Sequence, residues 1–190
     1  ERVSPPRGGT SESNRITYMA ANDEIVTIKG SEEMNNWVRF SGDVWKIIIP
    51  NSFFGDYNPY KVEIAGDWFN DVWKTTPHTG EVYINGRSMY EVDILEKVLN
   101  PSSSPHTRNQ EESKYTWYCE NDELNTYVYA NFHDLDPNQE LAELNVRQSC
   151  FYPDTTGINY ITVKNFHMSQ AATQWAPPTA EQIGLIGTNW

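Results

Sequence analysis

Five residues combine a type and a placement that could hold a polar ligand with an apolar face. Trp68 in AGDWF and Trp175 in QWAPPT stand beside turn residues, outside the alternating runs of the chain. An exposed indole lays its face on the apolar face of a pyranose, so a Trp on a loop is a candidate platform. Glu181 sits in the polar corner before the run Gln182–Gly187, where a carboxylate can hold a hydroxyl, and Gln182 is grouped with it. His167 follows directly on the run YITVKNF and leads into the QAATQW turn. Each has a plainer use as well. Charged groups in a corner are mostly solvated, and the two Trp would equally seal a seam between substructures. Trp73 and His78, in the same connecting segment as Trp68, are read as packing residues.

Other reactive types are weaker. Asp134, Asp136, Asn138 and Glu140 in DLDPNQE mimic the first half of a calcium loop, with oxygen donors at alternate positions. The sixth place, which requires glycine, holds Gln139 and the twelfth holds Asn145, so an Asx-type turn is expected. His78, His106, His133 and His167 show no HExxH or H-x3-H spacing, and neither a metal nor a cofactor is expected. PPRGG lacks the Lys-Ser/Thr ending of a phosphate loop, and no serine has a His/Asp context. Cys119 and Cys150, the two cysteines, form no CxxC pair. Cys119 alternates in phase with Tyr115 and Trp117, and Cys150 with Leu144 and Val146. Both then face inward as small hydrophobes; a disulfide in an exported protein is the other reading.

The elements that must position these groups are strands. Trp45, Ile47 and Ile49 share one face of VWKIII, and Tyr60, Val62 and Ile64 alternate with Lys61 and Glu63. Asn85-Gly86 in EVYINGRSMYEV marks a type I′ hairpin. YTWYCENDELNTYVYANF reads as two strands around a turn at 120–125, and LAELNVRQSCFY as another strand, ended by Pro153. Such strands, punctuated by turns, predict an antiparallel sandwich. One short helix is expected over Asp93–Leu99, capped by Asp93, and a disordered polar loop over residues 100–113. The flanks differ. Ile16–Met19 and Ile25–Lys29 near the start, and INYITVKNF and QIGLIG near the end, are short β-branched runs; the last two lie about 22 residues apart, which fits one coil of a parallel β-helix.

The 190 residues make room for one full domain or a domain and part of another. A net charge of −12 disfavours nucleic acid and anionic lipid as partners, and no run of about 18 apolar residues exists to span a bilayer. An aromatic content of 13% excludes a disordered chain. The opening ERVSPPRGGT carries no signal-peptide pattern, and Trp190 follows an apolar run. Both ends look cut, as expected of a piece or mature form of something longer.

The order of PPRGGTSESNRITYMAANDEIVTIKGSE, GDWF, HTGEVYINGRSMYEV, DPNQELAELNVRQSCFYP and GINYITVKNFHMSQAATQWAPPTAEQIGLIG resembles right-handed parallel β-helix glycoside hydrolases of the bacterial β-xylosidase type. In that family an immunoglobulin-like β-sandwich is inserted into the first coils of the helix. The resemblance implies an all-β chain: β-helix strands over 1–35, an inserted sandwich over 36–155, and a return to β-helix coils over 156–190. It implies that the nucleophile and acid/base carboxylates lie beyond Trp190, so no residue here is assigned a catalytic role. Hydrolysis needs two carboxyls about 5–5.5 Å apart for retention or about 6.5–9.5 Å for inversion, and 26 acids make spacing along the sequence useless for finding them. The implied partners are an oligosaccharide or plant-polysaccharide fragment such as xylan and the remainder of the parent helix. The parent is expected in the periplasm or outside the cell, with the cytoplasm as the alternative. Two rival functions are a stand-alone carbohydrate-binding sandwich gripping through Trp68 and Trp73, and a structural cap with no ligand. Pectate-lyase chemistry on the same helix is a rival reaction that the acidic charge disfavours.

Overall fold

The computed structural model describes residues 2–64, 77–173 and 183–189. Among them the chain forms β1 (Ile16–Met19), β2 (Val26–Lys29), β3 (Ser31–Glu33), β4 (Val38–Ser41), β5 (Val44–Pro50), β6 (Val82–Ile84), β7 (Arg87–Ser88), β8 (Tyr90–Glu91), helix α1 (Leu95–Leu99), β9 (Thr116–Asn121), β10 (Asn125–Asn131), β11 (Ala142–Asn145), β12 (Ile161–Lys164) and β13 (Phe166–Ser169). The chain is nearly all β, as the alternation predicts. None of its described helices is long and apolar enough to cross a membrane.

Two sheets make the sandwich, one in the order β4-β5-β10-β9-β8 and the other β3-β11-β6-β7. The alternation in β5 drives the first: Trp45, Ile47 and Ile49 turn inward beside Val128 and Ala130 of β10 and Trp117 and Cys119 of β9. Val82 and Ile84 of β6 and Ala142 and Leu144 of β11 close the core from the other sheet. Each large apolar side chain buried this way contributes about 1.5–3 kcal/mol. Val128 stands opposite Ile47 on one side and Cys119 on the other, so a one-residue slip would expose three core residues at once. The outer face of that sheet is partly covered by α1, whose Val98 is fully buried against Val44 and Tyr129.

The hairpin forms as expected. Asn85 and Gly86 both take positive φ, 52° and 78°, and β6 pairs with β7 across them. Other expectations need correction. Tyr60–Ile64 keeps its alternation of burial but builds no ladder; Glu63 makes one isolated bridge, to His78. The strand read in LAELNVRQSCFY stops at Asn145, because Val146 and Arg147 turn their N–H groups to Gly30 O at 2.8 and 3.0 Å. Asp93 does not cap α1: Ile94 takes that place, and the Asp93 carboxylate pairs with Lys97 instead. The 100–113 loop is held from within, since buried Ser113 accepts the Ser104 N–H at 2.8 Å and donates to Gln110 O at 2.7 Å. Both cysteines are free and buried.

The flanks pair in a different manner. β1 lies parallel to β12, Ile16 opposite Ile161, and β2 lies parallel to β13, Phe166 opposite Val26. A third parallel contact runs through Phe151, which bridges Val3 on one side and Ile186 on the other. The expected strand in QIGLIG is reduced, in its described part, to that one bridge. Its stacking partner is Phe151, whereas the 22-residue spacing had paired it with INYITVKNF. Between β12 and β13 a single left-handed residue, Asn165 at φ 61°, turns the corner.

Candidate functional site

Gly30 is where the parallel flank crosses into the sandwich. Its N–H donates to Ser169 O at 3.0 Å, and an added Cβ would lie 2.4 Å from Ala171 Cα. The next residue, Ser31, opens β3 and shares with Lys29 and Gln170 the buried carboxylate of Glu143. Lys29 Nζ reaches both Glu143 oxygens, at 2.8 and 2.9 Å, and Ser31 Oγ lies at 2.9 Å. The network pins the flank to β11.

Beside it the chain leaving β13, the start of β6 and the edge strand β8 enclose a cavity of about 260 Å³. Its polar lining includes His78, Thr79, Glu81, Glu91, Asn145 and Thr173, with Trp117 and Met89 beneath. Asn145 is the hub. Buried to 1% exposure, it accepts the Glu81 N–H at 2.7 Å and donates to Thr79 O at 3.1 Å. Glu81 takes short hydrogen bonds from Tyr83 Oη and Ser88 Oγ. Burial, reinforced by that carboxylate, pushes the Tyr83 phenol far up, so it remains a donor at any ordinary pH. The Trp117 indole N–H is buried without a partner among the described residues. A cavity of carboxylates, an amide and hydroxyls over an aromatic floor can bind a polyhydroxylated ligand.

Glu91 gives both carboxylate oxygens to His78, Oε2 to the backbone N–H at 2.9 Å and Oε1 to Nδ1 at 2.6 Å. Cys119 Sγ lies 3.7 Å from the same Nδ1. Burial first, then Glu91 and Glu120, drives the Cys119 thiol well above its ordinary range. His78 therefore does more than pack, and its link to Glu91 escaped the sequence reading. Only the in-phase burial of Cys119 hinted at it.

Of the five residues chosen from sequence, Trp68, Trp175, Glu181 and Gln182 lie outside the described residues, as does Trp73. Ile64 and Thr173, which immediately precede residues 65–76 and 174–182, are both part of the cavity lining. His167 stands exposed on β13 opposite Thr27, away from that lining. DLDPNQE makes the expected turn: Asp136 Oδ1 accepts the Asn138 N–H at 3.0 Å, and Asn138 clasps the Trp37 backbone through two 2.9 Å bonds.

The fold is a sandwich seated on parallel-paired flanks with a polar cavity at their seam, and residues 34–144 match the glycoside hydrolase 120 insertion domain. That match spans more than half of the chain, which belongs to this family. A solved structure of XylC in complex with xylose is similar over 100% of this chain, with a TM-score of 0.96 and 51% sequence identity. The chain spans 31% of that protein's length. None of the curated proteins matches.

Proposed function

We propose that this chain is the non-catalytic N-terminal portion of a β-helix glycoside hydrolase acting on xylan-derived oligosaccharides, in which the sandwich shapes or caps the substrate cleft. One observation carries the reading. Val3, β1 and β2 stack in parallel, in that order, on Phe151, β12 and β13, and Ile186 continues the first stack. Three short parallel contacts repeated in chain order are what successive coils of a three-sided solenoid produce. The expected division, coil over 1–35 and 156–190 around an immunoglobulin-like insert over 36–155, shifts at both borders in this reading: β3 pairs within the sandwich sheet, and Phe151 stacks with the coil. The likeness of the whole chain to about a third of XylC, solved in complex with xylose, supports a carbohydrate ligand for the parent protein.

Xylo-oligosaccharides titrated into the purified chain should produce a saturable change in Trp fluorescence, while an aryl xyloside should release no xylose. A flat trace would remove sugar contact and leave the structural cap. Measurable xylose release would overturn the non-catalytic assignment.

A further inference from the structure

His78 and Glu91 line the seam cavity, but a sugar ligand does not account for their convergence with buried Cys119. Its members come from three places: His78 from the segment bridged to Glu63, Glu91 from the end of β8, and Cys119 from the middle of β9. The parallel register of β8 and β9 sets Glu91 opposite Trp117, two residues before Cys119. One potential ligand atom from each side chain falls within 4.8 Å of the other two.

We propose that His78 Nδ1, Glu91 Oε1 and Cys119 Sγ form a binding site for a zinc-class divalent cation, with a fourth position open to the seam cavity. The donor set argues for this class. Thiolate and imidazole select zinc and its transition-metal neighbours over calcium or magnesium, which take oxygen. Spacing agrees. Ligand atoms about 2.0–2.3 Å from one tetrahedral ion stand about 3.5 Å apart, and Nδ1 and Sγ already stand 3.7 Å apart. Nδ1 and Oε1, now 2.6 Å apart across a shared proton, open by about 1 Å when the ion replaces that proton. Orientation is fixed beforehand, because Glu91 Oε2 stays on the His78 backbone N–H and holds the carboxylate in the plane the ion needs.

Access is provided as well. Cys119 is buried, but the His78 and Glu91 side chains are 20% and 17% exposed and line the cavity, so water can complete the tetrahedron. Binding releases the thiol proton to solvent and moves the neutral imidazole's proton from Nδ1 to Nε2, so one proton is freed per ion. The ion would tie β8, an edge strand only two residues long, to β9 and to the segment at His78.

Cobalt(II) serves as the spectroscopic probe, with zinc as competitor. The purified chain should bind one cobalt, show a thiolate-to-cobalt charge-transfer band in the near ultraviolet, and lose it when zinc is added. Cys119→Ser should abolish the band and Cys150→Ser should keep it. Glu91→Gln should weaken zinc roughly 10–100-fold, judged by competition with a chromophoric chelator. Should Cys119→Ser not fold, by circular dichroism, His78→Gln takes its place. No charge-transfer band in the unaltered chain, or a band that survives in Cys119→Ser, would overturn the site.

Discussion

Lys29 and Glu143 show how a charge pair is read atom by atom. The Glu143 side chain is 4% exposed and that of Lys29 34%, so the two ends of one ion pair face different solvents. Among the described residues, Lys29→Met leaves a buried carboxylate with Ser31 Oγ and Gln170 Nε2 to hold it. Glu143→Ala leaves an ammonium that swings back to water. Breaking a buried pair costs several kcal/mol when the remaining charge stays dry. Lys29→Met should therefore cost about 3 kcal/mol and Glu143→Ala about 2 kcal/mol, with the double variant costing less than the two together. Urea unfolding of the four proteins measures this. The reverse order would mean that the carboxylate is hydrated. Local spacing reveals neither partner: Lys29 and Glu143 are 114 positions apart. The His78–Glu91–Cys119 cluster was hidden for the same reason, whereas DLDPNQE was legible because its turn bonds are local.

Two glycines separate steric from conformational demand among the elements. Gly86 has φ 78° and open space where a Cβ would stand, so Gly86→Ala meets only the left-handed backbone penalty, about 1 kcal/mol. At Gly30 a Cβ would lie 2.4 Å from Ala171 Cα and 2.8 Å from Gln170 O, which no rotamer relieves. Gly30→Ala should cost about 3 kcal/mol by forcing β2 and β13 off the sandwich. Thermal unfolding of both variants tests the difference; equal shifts would show that the crossing has room. The same contrast explains what the sequence showed. Asn85-Gly86 and the alternation in β5 and β9 are local signals, and they led to the right hairpin and to core faces that the structure buries. Tyr60–Ile64 carried the same alternation without a ladder. Its Tyr60 is anchored instead by its phenol on Glu81 O at 2.8 Å and by the Trp117 ring, a tertiary demand that mimics a strand's period.

For the whole molecule, the two halves of the architecture differ in how completely they are buried. β5, β9 and β10 lie within a five-stranded sheet over a closed core, while β1 with β12 and β2 with β13 are two-stranded among the described residues, with no fully buried residue in any of the four strands. A pair of strands without a third neighbour is marginal in water, and a solenoid coil buries its face only by stacking on the next. Amides of β9 and β10 should therefore exchange with solvent only through global unfolding. Those of Ile161–Lys164 and Phe166–Ser169 should exchange through local opening, with protection lower by roughly 100-fold in the isolated chain. Extending the chain with further coils should raise protection in the paired flanks and leave β9 and β10 unchanged. Native-state hydrogen exchange of the two lengths decides it. Flanks as protected as β10 in the isolated chain would mean that they complete a fold of their own, and the solenoid reading would lose the incompleteness it requires.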